Sequence, residues 1–153
     1  AVQRNLRDSS YNKRYSELKK AEKEIGVQYL GSIDLKNFND KKIFDPIIFK
    51  RAKHVVTEND RVLKAKHYMI ENNINDFGKL MNESHLSYSN DFEASTKDVD
   101  LIVEDSIKAG ANGARLTGGG FGGFTVSLIE ENIKDKWLEY MLNIYDISNF
   151  FEV

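Results

Sequence analysis

The sequence predicts an α+β domain in which an antiparallel sheet is covered by helices on one face. Three observations predict it. Apolar residues recur at helical spacing through the first two-thirds of the chain. After Gly110 the period changes to two, with Phe124, Val126 and Leu128 alternating against Thr125, Ser127 and Ile129. Seven of the ten glycines fall between Gly110 and Gly123, so the backbone needs unusual conformations or close approach there.

The elements follow in order. Val2 to Leu6 reads as the end of a strand with neighbours upstream, and the chain opens on Ala1 rather than an initiator, so a fragment spanning 1–153 of one domain is expected. Ser9 or Ser10 is placed to cap a charged helix from Tyr11 to Ile25. Asp34 to Phe38 reads as a short helical turn. Asp45-Pro46 starts a long helix, the acid as cap and the proline at the first helical position, running to about Asn73. Along it Val55, Val62 and Met69 repeat every seven residues, as do Val56, Leu63 and Ile70, giving one apolar stripe. Asn75 to His85 is the next helix, with Phe77, Leu80 and Met81 inward. Ser95 is placed to cap a helix from Lys97 to Ala109 that turns Val99, Ile102, Val103 and Ile107 inward and ends at Gly110. Gly113 to Thr117 and Phe124 to Leu128 are strands. A helix from Asn132 to about Tyr145 presents Trp137, Tyr140, Met141 and Ile144, and Phe150 to Val153 reads as a closing strand.

Composition excludes several functional classes. With 153 residues a domain buries about 70% of the surface its unfolded chain exposes, so it needs no disulfide or metal to hold a core. The 22 basic and 24 acidic residues leave a net charge of −2, which gives no basic face for nucleic acid. Cysteine is absent, which removes disulfides and thiolate metal sites and fits a cytoplasmic setting. Apolar runs are only a few residues long, so no membrane span is expected.

The chemistry-bearing segment is Gly113 to Glu130, GARLTGGGFGGFTVSLIE. Gly118, Gly120 and Gly123 match G-x-G-x-x-G, but a dinucleotide fingerprint runs from a strand into a helix and this loop runs into a strand. A Walker A loop requires a lysine that is missing here. A protein kinase requires H-R-D and D-F-G triplets, which are also missing. Gly118, Gly119, Gly120, Gly122 and Gly123 bury no side chain and lose the most backbone entropy on folding. Their N–H groups are suited to turn inward around anionic oxygens, which favours a substrate-facing loop over one that merely lets another segment cross closely. Arg115 and Thr117 share a strand face just before the loop and are expected to support it.

Gly113-Ala-Arg-Leu-Thr-Gly-Gly-Gly-Phe-Gly-Gly123 resembles the third signature motif of the GHMP small-molecule kinases, in the form found in galactokinases. Ser10-Tyr-Asn-Lys-Arg14 resembles the segment that enters their sugar pocket, and Arg51 to Asn59 with Arg61 resembles their long central helix. Met81 to Ser87, Asp91 to Ser95 and Asp98-Val-Asp100 are similar to the stretch before the glycine motif. The segments span nearly the whole chain in family order. The resemblance implies the family's C-terminal domain fold. It implies transfer of phosphoryl from ATP, with Mg²⁺, to the anomeric hydroxyl of galactose, and a sugar contact by Tyr11.

Two departures are apolar swaps: Phe124 stands where galactokinases usually carry cysteine, and Leu116 where methionine is more usual. The larger departure is that the family's galactose signature, phosphate loop and catalytic Asp and Arg match nothing in this sequence. The chain is therefore expected to carry no catalytic residue and to be inactive alone, its galactose and ATP held jointly with an N-terminal domain. The alternative readings are another GHMP kinase, such as an N-acetylgalactosamine kinase, which keeps the fold and changes the substrate, and a non-catalytic galactokinase-like sugar sensor.

The remaining candidates have simpler readings. His54, His67 and His85 have no metal-ligand spacing. His54 shares a helix face with Arg51, Glu58 and Arg61, which predicts a buried or domain-facing polar cluster. His85 is expected to bond within a turn from Glu83 to Ser87, and Asp98 to complete a capping arrangement with Ser95. Phe121 is expected to pack into the domain upstream.

Overall fold

The computed structural model describes residues 9–41, 43 and 45–145. The expected strands at Val2 to Leu6 and Phe150 to Val153 lie outside them. Among the described residues, six α-helices and two strands are ordered as α1 (Ser9–Ile25), α2 (Leu35–Asn39), α3 (Pro46–Ile70), α4 (Ile74–Asn90), α5 (Lys97–Lys108), β1 (Gly113–Thr117), β2 (Phe124–Leu128) and α6 (Lys134–Ile144). Short 3₁₀ turns at Leu30–Ser32 and Glu131–Ile133 precede α2 and α6.

The starts of α2, α3, α4 and α5 follow side-chain oxygens that satisfy otherwise unpaired backbone N–H groups. Asp34 accepts from Asn37 N at 2.8 Å, and Asp45 accepts from Ile47 N at 2.8 Å. Asn73 caps α4 through Asp76 N at 3.2 Å. Two expected caps move. The first helix begins at Ser9, so Ser9 and Ser10 lie inside its first turn. The cap of α5 is Thr96, whose hydroxyl accepts from Val99 N at 3.3 Å, so Ser95 with Asp98 does not form the predicted box. Moving the cap one residue shifts the third helical position from Asp98 to apolar Val99, which has no carboxylate to reach back.

Among the described residues, two clusters of buried apolar side chains stand out. In the first, Ala21 and Ile25 of α1 meet Leu30, Phe38, Ile48, Ala52 and Val56. Phe38 and Leu30 are each 1% exposed, and each contributes about 1.5–3 kcal/mol by burial. In the second, Trp137 and Met141 of α6 pack with Ala111, while the Trp137 indole N–H donates to Ser106 O at 3.1 Å. The long apolar stripe is buried over only half its length. Val56 is buried, but Val62, Leu63, Met69 and Ile70 are exposed, because the buried partners of α3 meet it between Ile48 and Val56. Ile107, Tyr140 and Ile144 are likewise more exposed than their spacing predicts.

β1 and β2 form an antiparallel pair with Gly113 opposite Leu128 and Thr117 opposite Phe124. Ala114 and Leu116 are buried on one face, where Ser127 shares a 2.8 Å hydrogen bond with Ser106 of α5. Phe124 and Val126, on the other face, are exposed. The outer edge of β1 is occupied by α4: Ala114 N donates to Asn82 Oδ1 at 2.9 Å and Leu116 N to His85 Nδ1 at 3.3 Å. Side chains of a helix thus satisfy backbone groups that a neighbouring strand would otherwise take. This approach depends on two facing glycines. A Cβ on Gly78 would overlap the Asn112 carbonyl, and one on Gly113 would overlap the Gly78 backbone.

Candidate functional site

The glycine loop connects β1 to β2 as a hairpin tip. Gly118, Gly120, Gly122 and Gly123 have φ of +89°, +80°, +115° and +105°, a region that L side chains rarely adopt. Phe121 also lies there, at φ +60°. The loop has two distinct halves. A Cβ on Gly118 or Gly119 would meet nothing within 4 Å, so this half faces open space with bare backbone. A Cβ on Gly120 would lie 2.6 Å from Ala94 O and 2.7 Å from Tyr88 Oη. The first half is therefore free to face a ligand, while the second is docked onto the α4–α5 connector. There Phe121 N donates to Ala94 O at 2.5 Å.

Tyr11 stands in the first turns of α1 and is 51% exposed. One turn later, Arg14 reaches the connector and the loop together. It donates to Phe92 O at 2.6 Å and Glu93 O at 3.2 Å, pairs with Glu17 at 2.7 Å, and lies 5.9 Å from the Phe121 ring centroid. The ring thus turns toward α1 within this chain. Three residues of helix rise about 4.5 Å, so Tyr11 stands about that far along α1 from the residue that meets the connector and Phe121.

Arg115 and Thr117 occupy different surroundings. Thr117 is exposed at the end of β1 beside the loop. Arg115 turns toward α3, where Nη1 is 2.9 Å from Glu58 Oε1. Glu58 also pairs with Arg61 at 2.9 Å and accepts from Ser84 at 2.6 Å. Burial pushes the Glu58 carboxyl up, but Ser84, Arg61 and Arg115 outweigh it and hold it below its usual range. Arg115 thus fastens β1 to the central helix three residues before the loop begins. The same cluster borders a groove of about 280 Å³ between α3, α4 and the open sheet face, with Val62, Phe77, Leu80 and Val126 as apolar lining. No glycine of the loop lines this groove.

Two histidines are structural. His54 is 5% exposed, shares a 3.0 Å hydrogen bond with Ser87 Oγ, and packs on Phe92 and Tyr88. Burial lowers its pKa to about 4, with Glu58 opposing weakly, so it is neutral at pH 7. His85 sits within α4, not in the expected turn. Its Nδ1 accepts from Leu116 N, which puts the proton of the neutral ring on Nε2, 3.1 Å from Asp100 Oδ1 but without good hydrogen-bond geometry. Burial lowers the His85 pKa, and Asp100 opposes that shift.

Sequence reasoning assigned no role to the connector Asp91–Ala94. The Arg14 to Glu17 spacing was legible, but a contact across 78 residues to Phe92 has no local signal. Among the described residues no three His, Asp or Glu side chains gather as a metal site, and no helix is long and apolar enough to cross a membrane.

Comparison with known proteins places these features in a family. Residues 65–143 match the family described as GHMP kinases C terminal, a span that contains the loop and both strands. The chain is 41% identical over 143 residues to galactokinase of Clostridium acetobutylicum and 44% identical over 143 residues to that of Clostridium beijerinckii. Each match covers 89% of this chain and 37% of the relative. The crystal structure of Lactococcus lactis galactokinase complexed with galactose superposes with a TM-score of 0.88 at 33% identity, covering 95% of this chain and 39% of that one. The chain therefore spans less than two-fifths of the length of these relatives. With its helix-covered hairpin and glycine loop, the chain belongs to the GHMP kinase family and carries that family's C-terminal domain.

Proposed function

We propose that this chain is the C-terminal part of a galactokinase, which phosphorylates the anomeric hydroxyl of galactose from ATP. The observation that carries the reading is the structural match to a galactose-bound galactokinase over 95% of the chain. The open half of the loop supports it. Gly118 and Gly119 leave bare backbone N–H groups that side chains would otherwise screen, the arrangement suited to anionic phosphate oxygens.

Phosphoryl transfer is catalysed mostly by positioning and charge stabilisation. In this reading Tyr11 contacts the sugar, and Gly118 to Gly123 form a backbone wall near the transferred group. Thr117 and Arg115 fix the strand that leads into that wall. In this reading Mg²⁺ belongs with the nucleotide and the remainder of the polypeptide. The base and the phosphate loop are assigned to the same remainder, and the enzyme to the cytoplasm.

The test compares two proteins. The complete reading frame should convert galactose and ATP to galactose 1-phosphate, and the 153 residues alone should not. Turnover by the 153 residues would contradict the division of labour. Preference of the complete protein for N-acetylgalactosamine, or sugar binding without turnover, would replace the substrate or the activity respectively.

A further inference from the structure

Arg14 joins three structures that the proposed mechanism must hold in register. Its own helix carries Tyr11 one turn earlier. Its Nε and Nη2 take the carbonyls of Phe92 and Glu93, at 2.6 and 3.2 Å. Its guanidinium lies 5.9 Å from the centre of the Phe121 ring, at the docked half of the glycine loop. The connector is itself unusually constrained. Glu93 has φ +51°, a costly conformation for a residue with a side chain. Arg51, only 2% exposed, holds the same segment from the other side through Asp91 O at 2.6 Å and Glu93 Oε2 at 2.5 Å, and through Glu17 at 3.1 Å it meets the partner of Arg14. The connector then takes the loop through Ala94 O and Phe121 N.

We propose that Arg14 is a positioning residue that fixes the distance between the sugar-contacting turn of α1 and the glycine loop, acting through the Phe92–Ala94 connector and Phe121. This deepens the galactokinase reading and rests on it for its kinetic consequence. The fork geometry matters. Two carbonyls, a carboxylate and a ring face are met by one planar group, which the point charge of lysine cannot reproduce.

The experiment uses the complete protein and two readouts. Amide exchange of Phe121 and its loop, measured with and without the substitution Arg14→Ala, tests the link whatever the substrate is. Loop exchange should accelerate roughly tenfold while amides of α3 near Ala52 stay protected. Unchanged loop exchange overturns the link. Steady-state kinetics test the consequence: galactose KM should rise and kcat fall roughly 10- to 100-fold, with ATP KM little changed. Arg14→Lys should recover only part of both. A lower Tm with galactose KM and kcat intact, or full rescue by lysine, overturns the positioning role. Should Arg14→Ala fail to fold, Phe121→Leu reads the same link, with faster loop exchange expected and unchanged exchange overturning it. A wild-type protein inactive on galactose would remove the galactokinase reading, while the exchange experiment would still decide the link.

Discussion

At the residue scale, neighbouring glycines have opposite reasons to be glycine. Gly120 is fixed by space as well as by φ, since a Cβ would meet Ala94 O at 2.6 Å. Gly120→Ala should destabilise the complete protein by roughly 2–4 kcal/mol, combining left-handed strain with overpacking, read as a shift in the urea midpoint. Gly118→Ala carries only the strain, about 1–2 kcal/mol, but places a methyl on the open half and should lower kcat more than stability. The sequence displayed five glycines in six residues and so marked the loop. It did not separate the two halves, because the docking partner lies at Ala94, far along the chain. His54 gives a pH prediction. Its folded pKa of about 4 lies below the ordinary 6.5, so the folded state refuses a proton that the unfolded chain accepts. No stability is lost above pH 6.5. As pH falls toward 4, up to about 3 kcal/mol is lost through this group. His54→Asn should flatten the decline in unfolding free energy between those pH values relative to wild type, and an unaltered slope would assign the decline to other groups.

At the element scale, helix existence was legible wherever a cap and a period agreed. Asp45-Pro46 opened α3 as expected, and Val99 with Val103 faced inward on α5. Burial along α3 was not legible, because a stripe shows only that a face is apolar, not which neighbours reach it. The contact between α4 and β1 was also invisible. It rests on Gly78 and Gly113, which stand 35 positions apart and look like isolated glycines in a linear reading. Gly78→Ala should therefore separate α4 from the strand edge and weaken the bonds from Asn82 and His85. The expected loss is about 1–3 kcal/mol or more, measured by denaturant unfolding of the complete protein. Thr96→Ala should cost about 1 kcal/mol through the α5 cap, whereas Ser95→Ala should leave that cap untouched.

At the scale of the whole molecule, the family was readable because its motifs keep their order along the chain, and the fold match bears that order out. The proposed division of labour rests on the phosphate loop and catalytic groups of the family, which match nothing in this sequence. Less readable was how α1 and the loop, a hundred positions apart, meet through Arg14, the connector and Phe121. That depends on buried charges at Arg51 and Glu17 and on a strained connector, none of which has a periodic signature. The central claim is that this domain supplies one wall of a galactokinase active site. The measurement that tests it most directly is the rate of galactose 1-phosphate formation from galactose and ATP by the complete protein, with wild-type Gly118 and with Gly118→Ala. The account predicts product from wild type and a markedly lower kcat from the folded variant. No product from wild type, or a variant that turns over at the wild-type rate, would contradict it.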